Sequence, residues 1–338
     1  MVDRRTFVKA AAAASLAPGL ARCARTQPEP DPWSPDAVRK TPRSEVAILA
    51  ADSYDDRLVD VIRRGAGLLG LAVAGRRVVL KPNFVEFDPQ SVINTNPILI
   101  AAALEAFRSM GASDVVVGEG PGHRRDNEYI LTASGLSDIL KDTGGRYIDL
   151  NADAVRSIPA ASRFSQLGAL HYAATVTDAD LLVSMPKMKM HHWAGVTLSM
   201  KNLFGIMPGA VYGWPKNLLH YAGLQQSIID INATLPVERF NIVDGIIGME
   251  GNGPIQGTAK KSGVLVFGSD SVAVDATASR LMGIEPARIW YIAQAARFLG
   301  NMGDDQIDQR GEEITRFAQE YEVIEAMRNL KPGITASG

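Results

Sequence analysis

Short apolar runs alternate with amphipathic stretches along most of the chain. Val46 to Ala50, Val78 to Leu80 and Val115 to Val117 are bounded by turn residues, and each predicts a buried strand. Between them, Asp55 to Leu71 carries Leu58, Val59, Ile62 and Leu69 at helical spacing. Ile98 to Met110 predicts a second helix, with Asn96 as its cap, Pro97 in its first turn and Gly111 as its stop. The β, α, β, α, β order predicts an α/β fold, a mostly parallel sheet covered by helices.

The pattern continues with a helix over Asn127 to Lys141, a strand over Arg146 to Leu150 and a weaker hairpin over Ile158 to Ala174. An apolar run from Leu181, stopped by Pro186, predicts another buried strand. Gly205 to Pro215 is Gly/Pro-rich and predicts a lid or binding loop. Leu218 to Leu235 reads as a helix, Phe240 to Asp244 and Val264 to Phe267 as strands, and Asp270 to Met282 as a helix closed by Gly283. A charged helix over Glu312 to Leu330 is expected to pack on the outside.

The N-terminus has a different character. Arg4-Arg5-Thr6-Phe7-Val8-Lys9, followed by the run Ala10 to Ala17, has the layout of a twin-arginine signal peptide over residues 1–24. It predicts export to the periplasm or another extracytoplasmic space, with the twin-arginine machinery as a partner. Cys23, the single cysteine, sits where a lipoprotein carries its lipid, although Arg22 does not suit that processing; lipid anchoring and simple cleavage near Ala21 or Ala24 are both open. Residues 25–44 hold five prolines among charged residues and read as an extended tether with little to bury. The body is then residues 45–305, one large α/β domain or two packed lobes, followed by a C-terminal helix and tail over 306–338.

Composition narrows the function. The formal charge is −2, and cleavage before Cys23 removes four cations and one anion, leaving 31 basic against 36 acidic side chains. No basic surplus marks a nucleic-acid binder, and no later apolar stretch has transmembrane length. With one cysteine, the chain ligates no iron–sulfur cluster of its own. Gly118-Glu119-Gly120-Pro121-Gly122 is neither a Walker loop nor a dinucleotide fingerprint, so no ATP or NAD motif is present.

What remains is a set of polar strand ends. Lys81 and Asn83 follow the second strand, Glu119 and His123 the third, Lys187, Lys189, His191 and His192 the run from Leu181, and Asp244 and Glu250 the strand after that. Ligands in open α/β sheets bind outside the carboxyl ends of the strands. We therefore expect Lys81, Asn83, Lys187, Lys189, Glu119 and His123 to bind a small anion, a carboxylate or phosphate, as substrate or cofactor. His191, Lys201 and Asp244 are the candidate catalytic groups, and His191 with Glu250 a candidate site for a transition metal. Adjacent residues of an extended chain point to opposite sides, so only one of His191 and His192 is expected at a given ligand. Surface ion pairs and turn-capping carboxylates would account for the same residues without function. Asp270 is expected to cap a helix, and Asp275, among Val274, Ala276 and Ala278, needs a partner if buried.

Lys81-Pro82-Asn83, Pro186-Lys187-Met188-Lys189 with His191, Thr197 through Lys201-Asn202-Leu203-Phe204-Gly205, Asp244-Gly245 through Gly251-Asn252-Gly253-Pro254, and Asp270 through Asp275-Ala276 occur in this order. Together they resemble the prokaryotic family known as domain of unknown function 362, over roughly residues 45–300. Many members of that family carry ferredoxin-type cluster modules, which would imply redox work, but this chain lacks the cysteines. Its layout also resembles, more distantly, the nickel-pincer lactate racemases, in which lysine and histidines hold a cofactor between two α/β lobes. That resemblance favours isomerisation at a carboxylate-bearing carbon and does not assign the cofactor. A non-catalytic anion binder and a redox or assembly partner, the latter with a broad apolar surface near Trp193, Tyr212 and Trp214, are the alternatives.

Overall fold

In the computed structural model, residues 31–34, 36, 38, 40–122 and 127–334 are described. The expected signal segment, Cys23 and His123 lie outside the described residues. Twelve strands are present among them: β1 Ser44–Ala50, β2 Arg77–Pro82, β3 Asp114–Glu119, β4 Tyr147–Asp149, β5 Val155–Pro159, β6 Ala169–Ala173, β7 Leu181–Met185, β8 Lys187–His191, β9 Gly195–Thr197, β10 Arg239–Asn252, β11 Gln256–Gly268 and β12 Ile307–Gly311. Ten of these form one sheet with the order β12-β1-β11-β10-β7-β2-β3-β4, extended by β8 on β10 and β9 on β8. The pairs β2·β3, β2·β7, β3·β4, β7·β10, β8·β10 and β1·β12 are parallel, and β11 is antiparallel to both its neighbours. The fold is thus α/β with a large, mostly parallel sheet. The described residues from Pro32 onward cluster into one compact unit.

Strand alternation divides the apolar residues between two cores. Val78, Leu80, Val115 and Val117 face one side with Leu58, Ile62, Leu99 and Phe107 of the helices Arg57–Leu68 and Pro97–Ser109. Val79, Val116 and Leu182 face the other with Ile228, Ile229 and Val272 of the helices Leu224–Thr234 and Ser271–Leu281. Strands covered on both faces must be apolar at consecutive positions, which is the pattern the sequence shows. No described helix is long and apolar enough to cross a membrane.

Asn96 caps its helix as expected, accepting from Ile98 N–H at 2.9 Å, with Pro97 at the first helical position. Asp270 does the same for Val272 and Ala273. Two expected helices are each broken in two, at Gly135 and Gly223, both with positive φ. The hairpin is present as β5 and β6, a separate two-stranded sheet.

The C-terminal segment departs from expectation. In place of a helix over Glu312 to Leu330 there are two short 3-10 turns, Ile314–Arg316 and Glu325–Leu330. Its backbone donors are used elsewhere: Gln319 N–H reaches the Leu281 carbonyl and Tyr321 N–H that of Met282. Tyr321 is fully buried, with its hydroxyl 2.8 Å from Ser262 Oγ. Tertiary pairing has overridden local helix propensity there. The Pro-rich segment also buries more than expected, because Trp33 stacks on Phe298 at 4.5 Å between ring centroids and Pro32 accepts from Arg163 N–H at 2.7 Å.

Candidate functional site

Parallel β2, β3 and β7 end on one edge, and Lys81, Glu119 and Ser184 sit at that edge. Lys81 Nζ lies 2.6 Å from Glu119 Oε2, both side chains almost wholly buried. The same ammonium donates to the Pro82 carbonyl (2.7 Å) and Asn202 Oδ1 (3.1 Å). Glu119 accepts in addition from Phe84 N–H and Gly120 N–H, both at 2.9 Å, so both its oxygens are committed. Gly205 covers the pair so closely that a Cβ there would overlap the carboxylate and the ammonium. Burial lowers Lys81, while Glu119 acts to raise it.

This pair forms part of the wall of a cavity of about 360 Å³. Lys201 and Lys216 line it too, as do His191, His192 and His220. Lys201 stands on the short helix Ser199–Asn202, whose first N–H groups, Ser199 (2.7 Å) and Met200 (3.0 Å), donate to the buried carboxyl of Asp275. That is the partner Asp275 required; burial still raises its carboxyl to about 7. Lys201 Nζ lies 4.4 Å from the centre of the Phe204 ring and has no hydrogen-bond or carboxylate partner among the described residues. Burial, with Lys81 close by, lowers it to about 8.

The three imidazoles are set differently by their hydrogen bonds. His191 Nδ1 accepts from Trp193 N–H (3.1 Å) and Ala194 N–H (3.2 Å), which places the proton of the neutral ring on Nε2. Burial, reinforced by Lys201, holds His191 well below its ordinary pKa, so it is a neutral donor. His192 Nδ1 contacts the Gly253 carbonyl at 2.7 Å and His220 Nδ1 that of Lys216 at 3.0 Å. A carbonyl only accepts, so both rings carry a proton on Nδ1, and the neutral form of either has Nε2 as its acceptor atom. Both adjacent histidines line the cavity, contrary to the expectation of one, because β8 ends at His191 and the chain turns at His192.

Several expected site residues are elsewhere. Lys187 and Asp244 pair at 2.6 Å in a separate buried cluster with Tyr54, whose hydroxyl donates to Asp244 Oδ1 at 2.8 Å. Lys189 is fully buried and donates to the carbonyls of Ile93 (2.7 Å) and Pro254 (3.3 Å), tying two loops together rather than facing the cavity. Burial drives its pKa well below the usual lysine value. Glu250 accepts from Glu322 N–H at 2.9 Å, pairs with Lys260 at 3.2 Å and does not line the cavity with His191. Among the described residues no group of three or more His, Cys, Asp or Glu is arranged to hold a metal ion. Asn83 and Thr197 do line the cavity, and Asn83 Oδ1 and Thr197 Oγ1 are buried with no hydrogen-bond partner among the described residues.

Lys216 is the residue the sequence pattern missed. It adopts a left-handed backbone (φ 67°), is fully buried and donates to Asn151 Oδ1 at 2.8 Å and to the Met207 carbonyl. Burial takes its pKa to about 7. It lies just after the irregular Gly205 to Pro215 stretch, where periodicity gives no orientation. His220 follows it one helical turn later.

These features define a class, an α/β protein with a lysine- and histidine-lined cleft at the carboxyl edge of its parallel strands. Residues 78–280 match the family model described as Domain of unknown function (DUF362), and the chain belongs to that family. It is 25% identical over 269 residues to a thylakoid-associated protein of Synechocystis sp., an alignment covering 75% of this chain and 78% of that one. Among solved structures it is similar to the lactate racemase apoprotein of Thermoanaerobacterium thermosaccharolyticum, at 14% identity and a TM-score of 0.43 over 74% of this chain. A protein from Thermotoga maritima matches at 11% identity and a TM-score of 0.41 over 68% of this chain. The chain spans 58% and 60% of the lengths of those two structures.

Proposed function

We propose that the chain is an exported enzyme that binds a small anion in the Lys81–Lys201–Lys216 cavity and moves a proton on it, as in isomerisation beside a carboxylate. One observation carries this reading: Lys201, at about 8, faces the cavity with no carboxylate paired to it among the described residues. An enclosed cation in that state favours a ligand that supplies negative charge. His191 Nε2–H is a neutral donor to a developing oxyanion, and Nε2 of neutral His192 or His220 is a proton acceptor. Asp244 takes no part in this scheme, being spent on Lys187 and Tyr54.

The test is calorimetric titration of the wild type and Lys201→Met with inorganic phosphate, glycerate and 3-phenylpropionate. Bound carboxylates are then followed in D2O by NMR for exchange at the carbon next to the carboxylate. Binding at millimolar or better, weakened about tenfold or more in the variant, supports the anion site; exchange supports catalysis. No binding by any probe removes the proposal.

A non-catalytic anion binder is the second reading, favoured by Glu119, which spends both oxygens internally and leaves the cavity no free carboxylate among the described residues. Binding without exchange selects it. The partner-protein reading has less support, since Tyr212 is buried, although Trp193 and Trp214 are exposed. Export rests on Arg4-Arg5 and the run behind it. An Arg4→Lys, Arg5→Lys variant should stay in the cytoplasmic fraction, and unchanged fractionation would refute the twin-arginine route.

A further inference from the structure

A second charged cavity lies at the opposite edge of the sheet. Arg239 opens β10, Ser44 opens β1 and Ser269 follows β11, which runs against both, so the three gather at the amino ends of the parallel strands. They line a cavity of about 370 Å³, together with Lys40 and Arg43 from the end of the Pro-rich segment.

Five charged side chains line it, and three of them are answered within the fold. Arg43 pairs with Asp308 at 2.6 Å and Glu45 with Arg310 at 2.5 Å. Asp270 accepts from Val272 N–H (2.8 Å), Ala273 N–H (3.2 Å), Ser44 Oγ (2.6 Å) and Asn301 N–H (2.8 Å). Both its oxygens are therefore spent, and the helix Ser271–Leu281 behind it is already capped. Two cations remain. Arg239 donates from Nη1 to the Asn232 carbonyl at 2.7 Å, while its Nε and Nη2 have no hydrogen-bond partner and no carboxylate pairs with it among the described residues. Lys40 donates to the Ala296 carbonyl at 2.7 Å and likewise has no paired carboxylate among the described residues.

Arg239 is half-buried and faces this cavity. Burial lowers its pKa, with Asp270 acting to raise it, but a guanidinium does not answer burial by shedding its proton as a lysine does. A charge so placed calls for a counter-ion. Its fork presents parallel N–H groups suited to two oxygens of one anion. The Ser269 hydroxyl, also in the lining, has no hydrogen-bond partner among the described residues. Donors from three separate segments suit a tetrahedral anion with three or four oxygens better than a planar carboxylate with two.

We propose that this cavity is a second anion site, which takes a phosphoryl group on the Arg239 fork, the Lys40 ammonium and the Ser269 hydroxyl. Lys40 belongs to the Pro-rich segment and Arg239 to β10, so the bound anion ties that segment to the sheet. The volume admits a small phosphate monoester as well as the free ion, and both present the same oxygens. The site is independent of the Lys201 cavity.

The experiment titrates the wild type, Arg239→Gln, Lys40→Met and Lys201→Met with inorganic phosphate, glycerol 3-phosphate and acetate by calorimetry, and follows hydrogen exchange over residues 40–45. At least one phosphate should bind at millimolar or better and be weakened about tenfold or more by Arg239→Gln and by Lys40→Met; the tighter of the two names the source. Saturating phosphate should slow exchange over residues 40–45 about threefold or more in the wild type and not in Lys40→Met, a readout that does not depend on the folding of Arg239→Gln. Lys201→Met should keep this binding. Loss of phosphate in Lys201→Met with full binding in Arg239→Gln would put the phosphate in the first cavity, overturning the second site and leaving the first reading intact. Acetate binding as tightly as phosphate would overturn the phosphoryl class. No phosphate binding to the wild type, or unchanged binding in both Arg239→Gln and Lys40→Met, would overturn the site, whatever the Lys201 cavity binds.

Discussion

Replacing Glu119 with glutamine would leave Lys81 in place, almost wholly buried, with the Pro82 carbonyl, Asn202 Oδ1 and at best one amide oxygen as acceptors, and no countercharge among the described residues. Removing one partner of a buried ion pair costs about 3–5 kcal/mol. The loss has a ceiling, because Lys81 can shed its proton instead. From an ordinary lysine pKa of about 10.4, deprotonation at pH 7.5 costs about 4 kcal/mol, and this falls by about 1.4 kcal/mol for each unit of pH. Lys81 already lies below its ordinary value through burial, so the neutral form is accessible. Urea unfolding of the wild type and Glu119→Gln at pH 6.5, 7.5 and 8.5 should therefore give a deficit of several kcal/mol that shrinks as pH rises. A Lys81→Met, Glu119→Gln double variant should recover most of it, since no buried charge then remains. A deficit under about 1 kcal/mol that is flat with pH would refute the buried pair.

Three further outcomes follow from the same coordinates. Gly205→Ala should destabilise by about 1–3 kcal/mol, because its Cβ overlaps the Lys81–Glu119 pair, and thermal unfolding at the wild-type temperature would contradict that contact. Asp275 is raised to about 7 from an ordinary value near 3.9, so the folded state binds the extra proton and stability falls as pH rises through that window. Asp275→Asn should remove that dependence, on the order of 3 kcal/mol between pH 4 and 7, and an unchanged slope in urea would refute it. Trp33→Ala should cost about 1–3 kcal/mol and expose the segment near Pro32 to limited proteolysis, whereas protection equal to the wild type would show that Trp33 does not anchor it.

Where the pattern of residues was strong, it located elements closely. Val78 to Leu80 and Val115 to Val117 lie within β2 and β3, and Asn96-Pro97 and Asp270 open their helices as caps. Such signals are local, set by backbone donors and side chains a few residues apart. The Glu312 to Leu330 segment carried a helical composition, yet its donors went to Leu281 and Met282, a choice decided by distant partners.

Chemistry divided along the same line. Position at a strand end could be read from order alone, and Lys81, Asn83, Glu119, His191 and Lys201 do line one cavity. Lys187, Lys189 and Asp244 have the same residue types at equally suggestive places, but their side chains meet internal partners instead. Lys216 and His220 reach the cavity from an irregular loop and a short helix, where no periodic rule predicts direction.

The order of residues by itself determined the class of fold, since strands apolar at successive positions must be covered on both faces, and it determined that charged groups gather at the strand ends. Only the tertiary structure decided which of those charges are neutralised and which stay available. That outcome depends on which partners lie within about 3 Å once segments remote in the chain are packed together, and in a buried setting a single carboxylate such as Glu119 separates a structural lysine from one that can meet a ligand.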